Sequence, residues 1–280
     1  MSSFAVVTDS TADLPVSLAQ ERGIEVVPLV VTIAGKTFVD GVLTQAEFFE
    51  RMNAAPELPT TSQPSVGAFV EAYERALARA DEVISVHISS KLSGTFASAV
   101  QAAEQFAGKV HVFDSLNLSW GLGWQVLDAA ASAASQLDTA AAIARLEQVR
   151  ERVRMLVLFD SLDNLAKGGR IGRVSAFLGG MLNLKVSLTV DTDGAFTPVA
   201  RSRGDKAAYR HILDWTAEHM GQARSGRFAV MYAMTEDRAQ VLRQALDERF
   251  DVTEMFVVPT GSVIAAHTGT GIAVAFVPGE

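Results

Sequence analysis

The sequence predicts an α/β fold in two domains: an N-terminal, mostly parallel sheet with helices on both faces, and a C-terminal α+β domain, with a ligand cleft between them. Three observations carry this reading. Short β-branched runs alternate with segments of helical period as far as Arg154, the rhythm of βαβ units. After Arg154 the chain turns Gly- and Arg-rich and then shows a hairpin signal at Asp191-Thr192-Asp193-Gly194. Its 280 residues also exceed what one core usually holds. The boundary falls near residue 155, giving domains 1–155 and 156–280.

The elements follow in order. Residues 4–8 read as the first strand, and Asp9-Ser10-Thr11-Ala12-Asp13 as a polar turn into a helix over about 15–22. Residues 26–33 read as a second strand and 48–52 as a short helix, while 56–64, with three prolines, reads as irregular. Val66, Phe69, Val70, Tyr73 and Leu77 recur at helical spacing. Strands at 83–88 and 110–113 flank a polar loop, 89–94, and a helix, 95–106. Residues 121–154 are helical with a break near Asp138. Beyond that point, 156–159, 185–190, 195–200, 228–233, 254–258 and 272–277 read as strands, and 207–220 and 238–249 as helices. Ligands of parallel sheets bind beyond the carboxyl ends of the strands. Two polar turns fall there: 9–11 and 89–94.

Composition excludes several classes. The 24 basic and 32 acidic residues give a net charge of −8, which opposes nucleic acid or an anionic membrane as a partner. The absence of cysteine removes disulfides, thiolate metal sites and a Cys nucleophile. No GxxxxGK[ST], HExxH or GxSxG motif occurs, and the five histidines are scattered, so no metal or cofactor is expected. No signal peptide and no apolar run long enough to span a bilayer is read, which predicts a cytoplasmic protein without stable membrane insertion.

Four segments carry candidate chemistry. Ser89-Ser90-Lys91-Leu92-Ser93-Gly94-Thr95 joins a strand to a helix, with Ser93 at the expected N-cap and Gly94 allowing close approach of a ligand; on the residues alone, Ser93 capping its own helix is the simpler account. Thr60-Thr61-Ser62-Gln63-Pro64-Ser65 reads either as a stiff loop ending in a helix cap or as a hydroxyl source for the same anion. Lys167-Gly168-Gly169-Arg170-Ile171-Gly172-Arg173 is a helix C-terminus answered by cations, or a site for phosphate or an acidic partner. Arg201, Arg203 and Lys206 share that ambiguity. His267 lies in what reads as a Gly-rich turn, Ala266-His267-Thr268-Gly269-Thr270-Gly271, where a ligand can come close.

Together these segments resemble the DegV family of bacterial fatty-acid-binding proteins. The opening Thr8-Asp9-Ser10-Thr11-Ala12-Asp13-Leu14 is similar to the family's TDSTxDL, Thr60 to Ser65 to its TTSQPS, and Ser89 to Thr95 to its SSxLSGT. Leu165 to Ile171 resembles LxKGGRI, Leu182 to Asp191 resembles LNIKPxLxVD, and His267-Thr268-Gly269 resembles the start of HTGPG. Thr270 and Val186 stand where the family usually has proline, and Ala265-Ala266 where glycine is often found. The resemblance implies a long-chain fatty acid in an apolar tunnel, lined by residues such as Phe159, Phe177, Leu178, Met181 and Leu182. It implies a carboxylate held by Thr61, Ser93, the Gly94 N–H and His267. It also implies a protein without catalysis of its own, which presents the acid to a separate ATP-dependent kinase subunit similar to dihydroxyacetone kinases for acyl-phosphate formation and phospholipid synthesis. Arg170, Arg201 and Arg203 are then candidates to face that kinase or the phosphate. Two alternatives remain at this stage. One is a serine hydrolase on acyl esters with Ser93 as nucleophile and His267 as base. The other is a binding module for another anionic lipid or for a protein partner alone.

Overall fold

A computed structural model of the chain describes residues 3–172, 174 and 184–279. The expected tunnel residues Phe177, Leu178, Met181 and Leu182 lie outside the described residues, as does Arg173.

The strands are β1 (Phe4–Asp9), β2 (Ile24–Val27), β3 (Val30–Ile33), β4 (Lys36–Val39), β5 (Thr60–Ser62), β6 (Glu82–His87) and β7 (Val110–Asp114), then β8 (Arg154–Phe159), β9 (Lys185–Val190), β10 (Phe196–Ser202), β11 (Ser225–Ala233), β12 (Asp251–Pro259) and β13 (Gly271–Pro278). They form three sheets, ordered β2-β1-β6-β7, β4-β3-β5 and β10-β9-β8-β13-β11-β12. The first sheet is parallel throughout. The third is antiparallel except for the β11–β12 pair. The fold is thus mixed α/β, as the alternating pattern predicts.

Strand alternation decides what covers each face. From β1 and β6, Phe4, Val6, Ile84 and Val86 point to one core, while Ala5, Val7 and Val83 point to the other. Helices Val66–Leu77 and Thr95–Ala103 fill the second core. The helix Ser119–Ala134 fills the first, and its Trp120 and Trp124 are fully buried. That helix also meets the third sheet: Val157, Ala275 and Met231 belong to the same core as Trp124. It is therefore packed between the two large sheets. The opposite face of the third sheet, with Leu156, Val230 and Val274, is covered by helices Asp205–Met220 and Glu236–Arg249. The predicted break near Asp138 is a cap, since its carboxylate accepts the Ala141 N–H at 2.7 Å at the start of helix Thr139–Arg152.

Four expectations need correction. The single strand read over 26–33 is two strands in different sheets; Pro28 lies between them and has no N–H to continue a ladder. The irregular stretch 56–64 contains β5, whose Thr61 pairs with Val31 on β3. The N-cap of helix Thr95–Ala103 is Gly94 rather than Ser93, although the Ser93 hydroxyl still accepts the Thr95 N–H at 3.3 Å and pairs with Thr95 Oγ1 at 2.8 Å. His267 lies on a helix, Ser262–Thr268, rather than in a turn. Burial of Val263, Ile264, Ala265 and Ala266 sustains that helix, although seven residues form little helix unaided. Its first turn is held from outside. The Gly261 N–H donates to Asp13 Oδ1 at 2.9 Å and the Val263 N–H to Asp40 Oδ1 at 3.2 Å. Burial pushes the Asp13 carboxyl up to about 8, and Asp40 is raised for the same reason.

Candidate functional site

Four of the polar segments converge on one cavity of about 280 Å³. β5 contributes Thr61, the loop after β6 contributes Ser93, helix Ser262–Thr268 contributes His267, and the glycine-rich segment after helix Asp163–Lys167 contributes Arg170. Leu29, Ile88, Leu118, Leu165 and Phe196 line the rest with apolar surface. A second, narrower void adjoins it, sharing Leu118, Phe196, Ile264 and Thr268 with the first and adding Met155, Phe159 and Met231 along with Ser119 and Thr270. Phe159, expected near the tail, borders that second void. A lining that combines hydroxyls, an imidazole and a guanidinium with apolar side chains suits an amphiphile.

The Thr61 hydroxyl and His267 Nε2 are 2.8 Å apart. The back of the imidazole rests on the chain at Gly168, where a Cβ atom would stand 2.4 Å from Nδ1. Gly168 therefore has a steric purpose that its place at a helix C-terminus does not reveal. Burial, with the Arg170 charge adding to it, pushes the His267 imidazole down to about 4, so the ring is neutral at pH 7. If its remaining proton is on Nε2, the ring donates to Thr61 and leaves the Thr61 O–H to point at a ligand oxygen. Arg170 is the one permanently charged group among the described lining residues. Its guanidinium donates to Gly168 O at 2.7 Å and Leu92 O at 3.4 Å, spanning the two loops.

Gly94 does not line this cavity but borders a recess next to it. A Cβ there would fall 2.0 Å from Gln63 Oε1, so the absent side chain lets Gln63 lie against the loop and donate to Ser98 Oγ at 2.7 Å. Arg201 lies on β10 opposite Val186 and Arg203 directly follows that strand; both are exposed, and neither lines the cavity. The structure thus brings Thr61, Ser93, His267 and Arg170 together and leaves Arg201 and Arg203 apart.

Sequence reasoning passes over Thr11, which also lines the cavity. Its backbone N–H donates to Asp9 Oδ1 at 3.0 Å, and its hydroxyl is bonded to the same oxygen. The other Asp9 oxygen is 2.9 Å from His87 Nδ1 and accepts the Ile88 N–H at 3.1 Å. His87 Nε2 is 2.6 Å from Ser85 Oγ, which lies 3.0 Å from the Tyr73 hydroxyl. This Asp-His-Ser row has the composition of a hydrolytic triad, yet Asp9, Ser85 and His87 are fully buried, so it serves to fix the strand ends and Thr11. The signal for Thr11 was its position at the carboxyl end of the first strand. The hydrolase reading finds no support either: His267 Nε2 pairs with Thr61 and the Ser93 hydroxyl with Thr95, and the other imidazole nitrogen faces Gly168 instead of an orienting carboxylate.

No helix among the described residues is long and apolar enough to cross a membrane. No group of three or more His, Cys, Asp or Glu side chains among them is arranged to hold a metal ion.

Comparison with known proteins gives a consistent result. A family model described as an uncharacterised protein of the DegV family matches residues 3–279. A DegV domain-containing protein of Deinococcus radiodurans is 39% identical over 272 residues, covering 96% of each chain. Among solved structures, a DegV family protein from Thermus thermophilus described for its fatty acid binding superposes with a TM-score of 0.95 at 38% identity, covering 99% of this chain and 100% of that one. DegV from Bacillus subtilis, a fatty acid binding protein, superposes with a TM-score of 0.90 at 31% identity, over the full length of both chains.

Proposed function

This chain belongs to the DegV family, and from that premise we propose that it binds a long-chain fatty acid, holding the carboxylate at Thr61, Ser93 and His267 and the tail among the apolar side chains behind them. The observation that carries the reading is the cavity itself, which unites three residues far apart in sequence with apolar side chains around one void. The fatty-acid binding of the Thermus and Bacillus relatives supports it. Gly94 belongs to the proposal as a backbone donor beside Ser93, from the neighbouring recess.

The energetics divide naturally between tail and head. At about 0.8 kcal/mol per buried CH₂, a sixteen-carbon chain supplies roughly 11 kcal/mol before ordering costs. The head group then needs only to be satisfied, because a buried carboxylate without donors costs several kcal/mol. Hydroxyls and a neutral imidazole do most of this, and the Arg170 guanidinium is shared with the Leu92 and Gly168 carbonyls, so the charge on the oxygen is not fully quenched. Such a carboxylate stays nucleophilic. This fits a protein that performs no catalysis itself and presents the acid in the cytoplasm to a separate ATP-dependent kinase subunit. There a carboxylate oxygen bonds to the γ-phosphorus, the bond from that phosphorus to the leaving ADP oxygen breaks, and an acyl phosphate results. The division into domains 1–155 and 156–280 is part of the same proposal. It is supported by the second large sheet beginning at Arg154, with the cavity drawing residues from both sides of that point.

The test is the double substitution Thr61→Ala and Ser93→Ala. Retained folding with a large loss of fatty-acid affinity and of phosphorylation by the kinase is expected. Wild-type affinity and phosphorylation in the double variant would overturn the assignment of these hydroxyls.

A further inference from the structure

Outside the cavity, next to Ser93, lies a second recess of about 330 Å³. It shares Leu92, Ser93, Arg170 and Phe196 with the cavity, so the two spaces meet at Ser93. Its remaining described lining differs in kind from the cavity's. Lys91 joins Arg170, no acidic residue is present, and three glycines, Gly94, Gly169 and Gly172, leave backbone open to contact. Two cations without an acid form a local exception in a chain of net charge −8. The bonds from Arg170 to Leu92 O and Gly168 O fix its guanidinium at the junction of the two spaces.

From this recess a bound carboxylate draws only on the Gly94 N–H, which leaves Lys91 without a role. We propose that the recess is the phosphoryl subsite of the acyl-phosphate product: the phosphoryl group joined to the bound carboxyl oxygen lies there, held by Lys91, Arg170 and the Ser93–Gly94 segment. The inference rests on the fatty-acid reading above. Transfer leaves this protein holding a dianionic phosphoryl group where a single carboxylate charge stood, while ADP departs with the partner. The added charge is what the two cations answer, and Arg170 touches both states.

The experiment compares two probes on the delipidated full-length protein by calorimetry. One is palmitic acid. The other is its hydrolysis-resistant acyl-phosphate analogue, a β-ketophosphonate in which CH₂ replaces the bridging oxygen. Lys91→Ala and Lys91→Glu should lower the ratio of phosphonate to palmitate affinity by roughly tenfold or more, the worth of one hydrogen bond to a charged group. The phosphorus NMR resonance of the bound phosphonate should move in Lys91→Ala relative to wild type. An unchanged ratio and resonance in protein that binds palmitate normally would overturn the subsite and leave the fatty-acid reading intact. Wild-type protein that binds neither probe would overturn both. Inorganic phosphate binding to the palmitate-loaded protein as tightly as the phosphonate's gain over palmitate, with the same dependence on Lys91, would reassign the recess to free phosphate and also overturn the proposal.

Discussion

Replacing Gly168 with alanine adds one methyl group at the point where the His267 ring rests against the chain. The new Cβ would stand 2.4 Å from Nδ1 and 3.2 Å from Cε1, with Asn164 O at 3.0 Å on the other side. Ordinary contact starts near 3.4 Å, so the imidazole must retreat by about 1 Å, and its 2.8 Å bond to Thr61 lengthens beyond hydrogen-bond range. The backbone itself accepts alanine, because Gly168 is helical with φ −74°. That exchange gains about 0.5–1 kcal/mol. The lost bond costs about as much, so overall stability should hardly change. Fatty-acid affinity should fall, since Thr61 loses the partner that aims its hydroxyl; a loss of about 1–2 kcal/mol corresponds to roughly five- to thirtyfold. Gly169→Ala is the control. Nothing lies within 4 Å of its Cβ position, but its φ is +75°. That change should cost about 1–2 kcal/mol of stability through backbone strain and leave affinity alone. Titration with a fluorescent fatty acid and urea denaturation separate the two outcomes. Wild-type affinity in Gly168→Ala, or a larger affinity loss in Gly169→Ala, would refute the reasoning.

Three further outcomes depend on pH. The folded chain resists protonating His267 (about 4 against 6.5), whereas the unfolded chain does not, so stability should fall as the pH drops from about 6.5 to about 4; His267→Gln should lose that part of the acid sensitivity, up to about 3 kcal/mol, in denaturation curves across this range. A bound carboxylate favours the imidazolium, so the His267 resonances should titrate at higher pH in the fatty-acid complex than in the empty protein. Asp13 has the opposite sign: its folded-state value is raised from 3.8 to about 8, so the wild type loses stability relative to Asp13→Asn as the pH rises between those values, and the amide variant should be the more stable at pH 8 in thermal melts.

The parts of this fold that the sequence made legible are those set by local pattern. β1, β6, β8 and β13 are buried on both faces, and their unbroken apolar runs could be read directly. The helix break near Asp138 and the hairpin at 191–194 were equally plain. What stayed hidden depends on distant partners. β5 is three residues long and exists because β3 offers it an edge. The helix carrying His267 is held by Asp13 and Asp40, more than 200 residues earlier. Thr270, in the usual proline position, has its hydroxyl tied to Asp160 at 3.2 Å, a substitute that no local pattern announces. Within the site, the candidates Thr61, Ser93 and His267 came from ordered motifs. The turn that holds Thr11 was marked by its place at the end of the first strand, while the space that Gly168 leaves for His267 came only from packing.

The most direct test of fatty-acid binding is mass spectrometry of lipid extracted from the purified, folded protein, followed by titration of the delipidated chain. A long-chain fatty acid near one equivalent is expected, lost from the Thr61→Ala, Ser93→Ala variant and regained by wild type on titration. Protein that is purified empty, remains folded and fails to take up added fatty acid would contradict it.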